Sequence, residues 1–297
     1  VLSQVEFDKE KIYDIIKKTN GCIVWGGSFH IAPADDVLIK VEEPLLFESY
    51  DKILISIMAK KVAFGTNHVV IDLPYGTTVK VHRLKDAKTL AEKFEQIAKR
   101  FGIKIRIFIN EVEEPAGSGI GPVLEARDAL EILEQKPNRP LTLENKSVFL
   151  AGNLLELCLE DSPKTQQEHV KKTYGTCTGW ARHILQTGLA LKKMRDIIKE
   201  QMGNANVTSS DLLPGKHSHV QKATDNRRIE KIHNKNATIV AKILGSPLQK
   251  KSGIFFHKKV GDPIWEGETL YTLYSENVYN LQEAKHSLPN FPMLTFV

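Results

Sequence analysis

The chain contains little cysteine. Its 297 residues include three cysteines, Cys22, Cys158 and Cys177, whose spacing is not that of metal ligands, and neither a CxxC nor an HExxH motif occurs. His217 and His219 form a pair in a segment that we interpret as a loop. Sparse cysteine is typical of a reducing compartment. We therefore predict a cytoplasmic protein with buried or incidental thiols and no metal site.

Long apolar runs and a strong charge bias are also missing. No stretch reaches the ~20 apolar residues of a membrane-spanning helix. The formal net charge of +5, from 41 basic and 36 acidic residues, is small and spread along the chain. We therefore predict that neither a membrane nor a nucleic acid is a partner.

Apolar residues in the first part of the chain alternate between helical and strand patterns. Helical spacing marks residues 8–19, 50–63 and 86–101, and strands are predicted at CIVWG (22–26), HVVIDLP (68–74) and KIRIFINE (104–111). HVVIDLP is apolar over too many residues to have one solvated face, as expected of a strand buried in a parallel sheet. The alternation predicts an α/β fold with a mixed or parallel sheet flanked by helices.

The later part of the chain has a different pattern. Residues 119–202 are predicted to be mostly helical, and 203–215 are rich in Gly, Asn, Ser and Pro, as in a linker. We predict one domain over 1–205 and a C-terminal α+β, hairpin-rich domain over 206–297. In the latter we interpret ATIVAKIL, GIFFHKKV and ETLYTLY as β-like segments, followed by a helix near 276–287.

Three polar residues lie close to the apolar strand at 68–74. Ser56 and Lys60 are four residues apart, so on a helix they project from the same face. Lys80 ends the turn PYGTTVK that follows the strand. Ligands of open α/β sheets bind at the carboxyl ends of strands, so these groups could converge on one anionic or carbonyl-rich ligand. Spacing alone also allows a serine that bonds to its own helical turn, and lysines at the surface.

Four segments in order carry a resemblance. They are GCIVWGGSFHIAPADD (21–36), LISIMAKK with VVIDLPYGTTVKV (54–81), GSGIGPVLEARDAL (117–130) and VGDPIWEGETLYTLY (260–274). Together they resemble the nucleoside phosphorylase family of thymidine phosphorylase, in particular the branch that contains the archaeal AMP phosphorylases.

The resemblance implies a reaction and roles for residues. The reaction is phosphorolysis of a nucleoside or a nucleoside 5′-monophosphate, with inorganic phosphate as co-substrate and no organic cofactor. Ser56 and Lys60 would bind the base, and Lys80 would bind the nucleotide. Glu48 stands where AMP phosphorylases have an aspartate that protonates the leaving base, although it could equally be an ordinary carboxylate of the loop LLFESYD. The family also implies a homo-oligomeric enzyme, in which the helix at 50–63 belongs to a small helical domain and the rest of 1–205 to the central α/β domain.

The departures from the family pattern are informative. Thymidine phosphorylases carry a tyrosine and an arginine just after APAD, whereas Ile39 and Glu42 stand near those positions here, which favours the nucleotide branch. In the family a phosphate-binding loop precedes the region matched by Val1. The resemblance therefore implies that the chain is the C-terminal part of a longer enzyme, without about the first two-fifths, and that it is inactive alone.

Other interpretations stay open. GSGIGP (117–122) could form an anion-binding nest or, as we favour, a tight turn that packs a helix on a strand. Glu125 follows, where some family members have a monovalent-cation ligand. A second functional class is a biotinyl- or lipoyl-like carrier module, although the Met-Lys-Met of such hairpins is absent. A third is a nucleic-acid binder built on the basic segment 242–259, which lacks interleaved aromatic residues.

Overall fold

The computed structural model describes residue 1, residues 4–25 and residues 50–297. Within these residues the chain divides into two compact units that alternate along the sequence. The first unit comprises Val1–Tyr75, Lys80–Asn110 and Val148–Val207, and the second comprises Gly76–Val79, Glu111–Ser147 and Thr208–Val297. The functional domains at 1–205 and 206–297 stay a prediction.

The described part of the chain contains ten α-helices and nine strands. The helices are α1 (Lys9–Thr19), α2 (Tyr50–Ala63), α3 (Leu84–Arg100), α4 (Pro122–Leu133), α5 (Leu141–Leu159), α6 (Lys164–Tyr174), α7 (Cys177–Gln186), α8 (Leu189–Glu200), α9 (Asn234–Ile243) and α10 (Val278–Ser287). The strands are β1 (His68–Tyr75), β2 (Lys104–Glu111), β3 (Gly119–Ile120), β4 (His217–Lys222), β5 (Arg227–Ile232), β6 (Gly253–Phe256), β7 (Pro263–Ile264), β8 (Thr269–Ser275) and β9 (Leu294–Phe296).

The first unit has a βαβ core. β1 and β2 form a two-stranded sheet and run in the same direction, because Lys104 N–H donates to Asn67 O near their starts and Asn110 Nδ2 donates to Asp72 Oδ1 near their ends. The helix α3 connects them and buries Phe94 in the same core. The predicted α/β class with these elements is therefore confirmed.

Helix α1 begins and ends where local chemistry favours it. The Asp8 side chain accepts a hydrogen bond from Lys11 N–H at 2.7 Å, which caps the first turn. Asn20 adopts the left-handed conformation at the other end, with φ of 55°. Phe7, Ile12 and Ile15 form a small buried cluster. The helix predicted over residues 8–19 is therefore confirmed, with Asp8 as its cap.

The second unit contains two antiparallel sheets. Their strand orders are β3-β6-β8-β4 and β7-β5-β9. Both contribute to one apolar core that also receives α9 and α10. This arrangement is an α+β unit, as predicted for the C-terminal region.

Four local predictions were wrong. His217 and His219, interpreted as a loop pair, lie in strand β4. ATIVAKIL contributes to helix α9, because Ala237, Val240, Ala241 and Leu244 recur at helical spacing and all face the core. In GIFFHKKV the strand ends at Phe256. Residues 22–25, the described part of CIVWG, form no strand; Ile23 instead bonds to the side chain of Gln201.

None of the helices in the described ranges is long and apolar enough to span a bilayer.

Candidate functional site

Helix α2 presents Ser56 and Lys60 on one face. Its Leu54 and Met58 are buried in the core shared with α3 and β1. Ser56 and Lys60 each follow one of these residues by two positions, which places them about 200° around the helix axis from the buried stripe. Both side chains are half-buried, and each has a polar or electrostatic partner. The face that bears them is therefore separate from the face that packs the core.

Lys80 lies on the connection that follows β1. A parallel backbone bridge joins Tyr75 to Val81, so the chain leaves β1 and returns beside its end within six residues. Lys80 itself is exposed. This position, beyond the carboxyl end of a strand, is where α/β proteins bind ligands.

Residues 76–79 of this connection belong to the second unit and are held by other residues of that unit. Gly76 has φ of 150°, and a Cβ there would lie 2.7 Å from Val112 O, so the close approach requires glycine. Asn234 Nδ2 donates to the hydroxyl of Thr78 at 3.1 Å, and Thr78 is buried. Asn234 was not among the predicted site residues, because a polar residue 156 positions from Thr78 carries no local signal of the contact.

The start of α2 lies near the end of this connection. The pKa of Arg83 is raised by its hydrogen bond to Asp86, and the hydroxyl of Tyr50 is near enough to add to that shift. The structure thus brings Ser56 and Lys60 onto one face of α2 and the first turn of α2 close to Arg83. The convergence of Lys80 with Ser56 and Lys60 on one ligand stays a prediction. Glu48, APADD, Ile39 and Glu42 lie outside the described residues.

The glycine-rich turn before α4 binds its own helix. One oxygen of Asp128 accepts hydrogen bonds from the N–H groups of Ser118 at 2.7 Å and Gly119 at 2.8 Å. The Gly121 N–H donates to Glu125 Oε1 at 3.0 Å. A Cβ on Gly119 would lie 2.6 Å from the Cβ of Leu124. The amides that an anion would need are occupied by carboxylates, which favours the packing-turn interpretation.

Lys259, like Asn234, makes long-range contacts that no local sequence pattern indicates. It is half-buried, and its Nζ donates to Pro115 O at 2.8 Å and Gly117 O at 2.6 Å. Burial lowers the pKa of Lys259 and raises the pKa of Asp128, although each charge favours the ionised form of the other. Burial prevails at both groups, so this pair holds the 115–119 turn at an electrostatic cost.

These contacts bear on the competing functional classes. In the segment after β6, Lys259 is bound to backbone carbonyls and Lys258 Nζ pairs with Glu268 at 2.9 Å. Neither lysine stands at a hairpin tip ready for acylation, so the carrier interpretation gains no support. The same internal bonds remove two cations from the basic segment 242–259. Among the described residues, no group of three or more His, Cys, Asp or Glu side chains could hold a metal ion.

The fold and the polar face of α2 are typical of a protein that binds a small molecule. An α/β unit with a hydroxyl and an amine on one helix face, and a lysine beyond a neighbouring strand, has the groups that bind an anionic or carbonyl-rich small molecule. Residues 228–290 match the family model described as pyrimidine nucleoside phosphorylase C-terminal domain.

Three AMP phosphorylases are similar to this chain over nearly its whole length. The chain is 37% identical over 288 residues to an AMP phosphorylase of Thermofilum pendens, covering 97% of this chain and 53% of the relative. It is 37% identical to the AMP phosphorylase of Pyrococcus furiosus and 38% to that of Methanocaldococcus jannaschii, each over 284 residues that cover 96% of this chain and 54% of the relative. The chain belongs to the thymidine phosphorylase and AMP phosphorylase family, as its motifs predicted. It spans about half the length of these relatives.

Proposed function

We propose that the chain forms part of an enzyme that cleaves a nucleoside 5′-monophosphate with inorganic phosphate. A phosphate oxygen attacks C1′ of the sugar as the bond from C1′ to the base nitrogen breaks. The products are the free base and a sugar 1,5-bisphosphate. With AMP as substrate, the base is adenine and the sugar is ribose. No organic cofactor enters this reaction, because phosphate itself accepts the sugar.

The observation that carries the proposal is the similarity to AMP phosphorylases along nearly the whole chain. The residues Ile39 and Glu42 add to it, since they stand near the positions of the tyrosine and arginine with which thymidine phosphorylases contact a pyrimidine. An arginine that donates to a base carbonyl cannot be exchanged for a carboxylate with the same preference. A nucleotide is therefore favoured over thymidine.

Each candidate residue has a role in this reaction. Ser56 and Lys60 orient the base from one face of α2, and Lys80 binds the nucleotide from beyond β1. Negative charge builds on the leaving base in the transition state, so a fixed ammonium group stabilises it. Glu48 donates the proton to the departing nitrogen if its carboxyl group is kept protonated by burial.

The chain spans only about half the length of its relatives, which bears on whether it is active alone. Because the relatives are about twice as long, we propose that the phosphate-binding loop is supplied by sequence beyond this chain, and that the chain alone does not turn over substrate. The complete enzyme is proposed to be a homo-oligomer in the cytoplasm.

The test is a base-release assay on the longer polypeptide of which this chain is proposed to be a part. AMP, CMP, UMP, thymidine and uridine are each incubated with and without phosphate, and the released base is measured by chromatography. Phosphate-dependent release of adenine supports the proposal. Turnover of thymidine alone contradicts the nucleotide preference, and no release from any substrate contradicts the enzyme itself.

Variants then assign the residues. Lys80→Ala removes a charge-assisted hydrogen bond and is expected to raise KM for the nucleotide by about 10-fold to 100-fold. Glu48→Gln is expected to lower kcat by about 10²-fold to 10⁴-fold with a smaller change in KM. Lys88, exposed on α3, provides the matched control, and Lys88→Ala should change neither constant. Equal effects of Lys80→Ala and Lys88→Ala on KM would contradict the proposal that Lys80 binds the nucleotide.

A further inference from the structure

A concave site lies in the first unit, along helix α8. Its walls are formed by one face of α8 and by Ala205 and Asn206 of the turn that follows the helix. The cavity measures about 290 Å³, enough for a phosphate group with a small organic substituent. None of the residues proposed above for phosphorolysis lines it.

The charge on the lining is predominantly positive. Lys192, Arg195 and Lys199 are spaced three and four residues apart, so they share one face of α8 and all line the cavity. Like charges at this spacing repel one another along a helix. Asp196 is the one acidic residue of the lining, which leaves two positive charges in excess.

The neighbouring acid, Glu200, interacts electrostatically with Lys199, but its ion-pair partner is a lysine outside the cavity. Glu200 ends the helix and pairs with Lys18 of α1 at 2.9 Å. Within the described ranges, none of Lys192, Arg195 and Lys199 forms an ion pair or a side-chain hydrogen bond with another residue. Three cations therefore border the cavity without a close ion pair or a hydrogen bond to another side chain of the described residues.

The guanidinium of Arg195 supplies an independent observation. Its Nε is buried and has no hydrogen-bond partner in the part of the chain that the structure describes. A buried donor left unsatisfied costs about 1–3 kcal/mol, and such donors are uncommon in native proteins unless a water, an ion or a ligand completes them. A ligand that draws the Arg195 side chain toward the cavity would relieve that cost.

We propose that this cavity binds a phosphate dianion, either inorganic phosphate or the terminal phosphate of a small phosphorylated metabolite. Two positive charges in excess match the charge of such a group. The planar guanidinium of Arg195 can bond two phosphate oxygens at once, while the two lysines add mobile charges. Leu191 and Ala205 offer an apolar surface to an organic substituent. The site is separate from the proposed reaction and does not depend on it.

The experiment is calorimetric titration of the chain with inorganic phosphate and with ribose 5-phosphate, at constant ionic strength maintained with NaCl. Lys192 and Lys199 are exposed, so the double variant Lys192→Ala/Lys199→Ala should fold normally, as circular dichroism can verify. We expect its Kd for phosphate to rise at least tenfold. Arg195→Lys keeps the charge but loses the paired bonds, and should weaken binding by a smaller factor.

Matched variants separate this site from general charge attraction and from the phosphorylase site. Lys193 is exposed on α8 but does not line the cavity, so Lys193→Ala should bind phosphate as the unchanged chain does. Lys80→Ala should also bind it unchanged. Equal weakening by Lys193→Ala, unaltered affinity of the double variant, or no binding of either probe would overturn the proposal. Binding of a short single-stranded RNA, but of neither phosphate probe, through Lys192 and Lys199 would assign the surface to nucleic acid and overturn it as well.

Discussion

The side-chain amide of Gln201 pairs with the backbone of Ile23 in both directions. Gln201 Oε1 accepts from Ile23 N–H at 2.8 Å, and Gln201 Nε2 donates to Ile23 O at 2.7 Å. The same Nε2 also donates to Gln4 O at 3.0 Å. Gln201 is fully buried at the end of α8, so one side chain fixes two separate segments near the start of the chain.

Gln201→Leu should lower the free energy of unfolding by about 1–3 kcal/mol, because it leaves partly buried backbone groups of Ile23 and Gln4 unpaired. Urea denaturation followed by circular dichroism measures the change. Gln186 is exposed at the end of α7, and Gln186→Leu serves as the control with no more than a small effect. Equal stability of the two variants would show that water replaces the amide contacts at no cost.

Gly119→Ala should destabilise the turn before α4. The added Cβ would lie 2.6 Å from Leu124 Cβ and 2.8 Å from Leu124 O, and backbone atoms cannot move aside as a flexible side chain can. We expect a loss of about 1–3 kcal/mol in thermal or chemical denaturation. At Gly21 the nearest atom to an added Cβ is 3.7 Å away, so Gly21→Ala should be tolerated. A tolerated Gly119→Ala would contradict the close packing.

The stability of the protein relative to a Lys259→Met variant should rise with pH as the pH approaches 10.5 from below. Burial lowers the pKa of Lys259 in the folded state below its ordinary value of 10.5. Between the lowered pKa and 10.5 the unfolded chain binds more protons at this lysine than the folded chain does, so the free energy of unfolding increases with pH in that window. Urea denaturation of both proteins at a series of pH values up to 10.5 measures the difference.

Lys258→Met is the neighbouring control for this titration. Lys258 pairs with Glu268, and that acid has its pKa lowered chiefly by the bond to Lys258. The carboxyl group of Glu268 is fully ionised well above 4.5, so its own titration adds no pH dependence over the alkaline window. A stability difference between the unchanged protein and Lys259→Met that stays constant with pH would show that the Lys259 ammonium is not penalised by burial.

Much of the first unit follows from periodicity in the sequence. Helix α2 has the predicted bounds, and the strand HVVIDLP was extended by one residue at Tyr75. These elements are long or strongly apolar, so local pattern and tertiary packing agree. The prediction for ATIVAKIL was wrong because Val and Ile favour strands, whereas the burial of Ala237 and Ala241 against the core favours a helix.

In the candidate site, too, local features could be predicted from the sequence and long-range contacts could not. The position of Ser56 and Lys60 on one face of α2 depends on helical spacing alone and could be predicted from the sequence. The contacts of Asn234, Gln201 and Lys259 join residues more than a hundred positions apart, and their partners are mainly backbone groups or a lone hydroxyl. Such contacts depend on the folded path of the chain, and residue type at either end does not specify them.

The last prediction concerns the bond from Asn234 to Thr78, two residues before Lys80. Thr78→Val keeps the shape of the side chain and removes the acceptor, and Asn234→Ala removes the donor. Each change should speed amide hydrogen exchange at residues 76–81, and the double variant should add little, because both remove one bond. We expect a coupling free energy of about 0.5–1.5 kcal/mol.

Lys235, exposed next to Asn234, gives the control Lys235→Ala, which should leave exchange in this connection unchanged. If the connection positions Lys80 for a nucleotide, then Asn234→Ala in the complete enzyme should raise KM for the nucleotide more than it lowers kcat. Strictly additive effects of Thr78→Val and Asn234→Ala on exchange would show that the two residues act independently, and Asn234 would then have no part in holding the segment that carries Lys80.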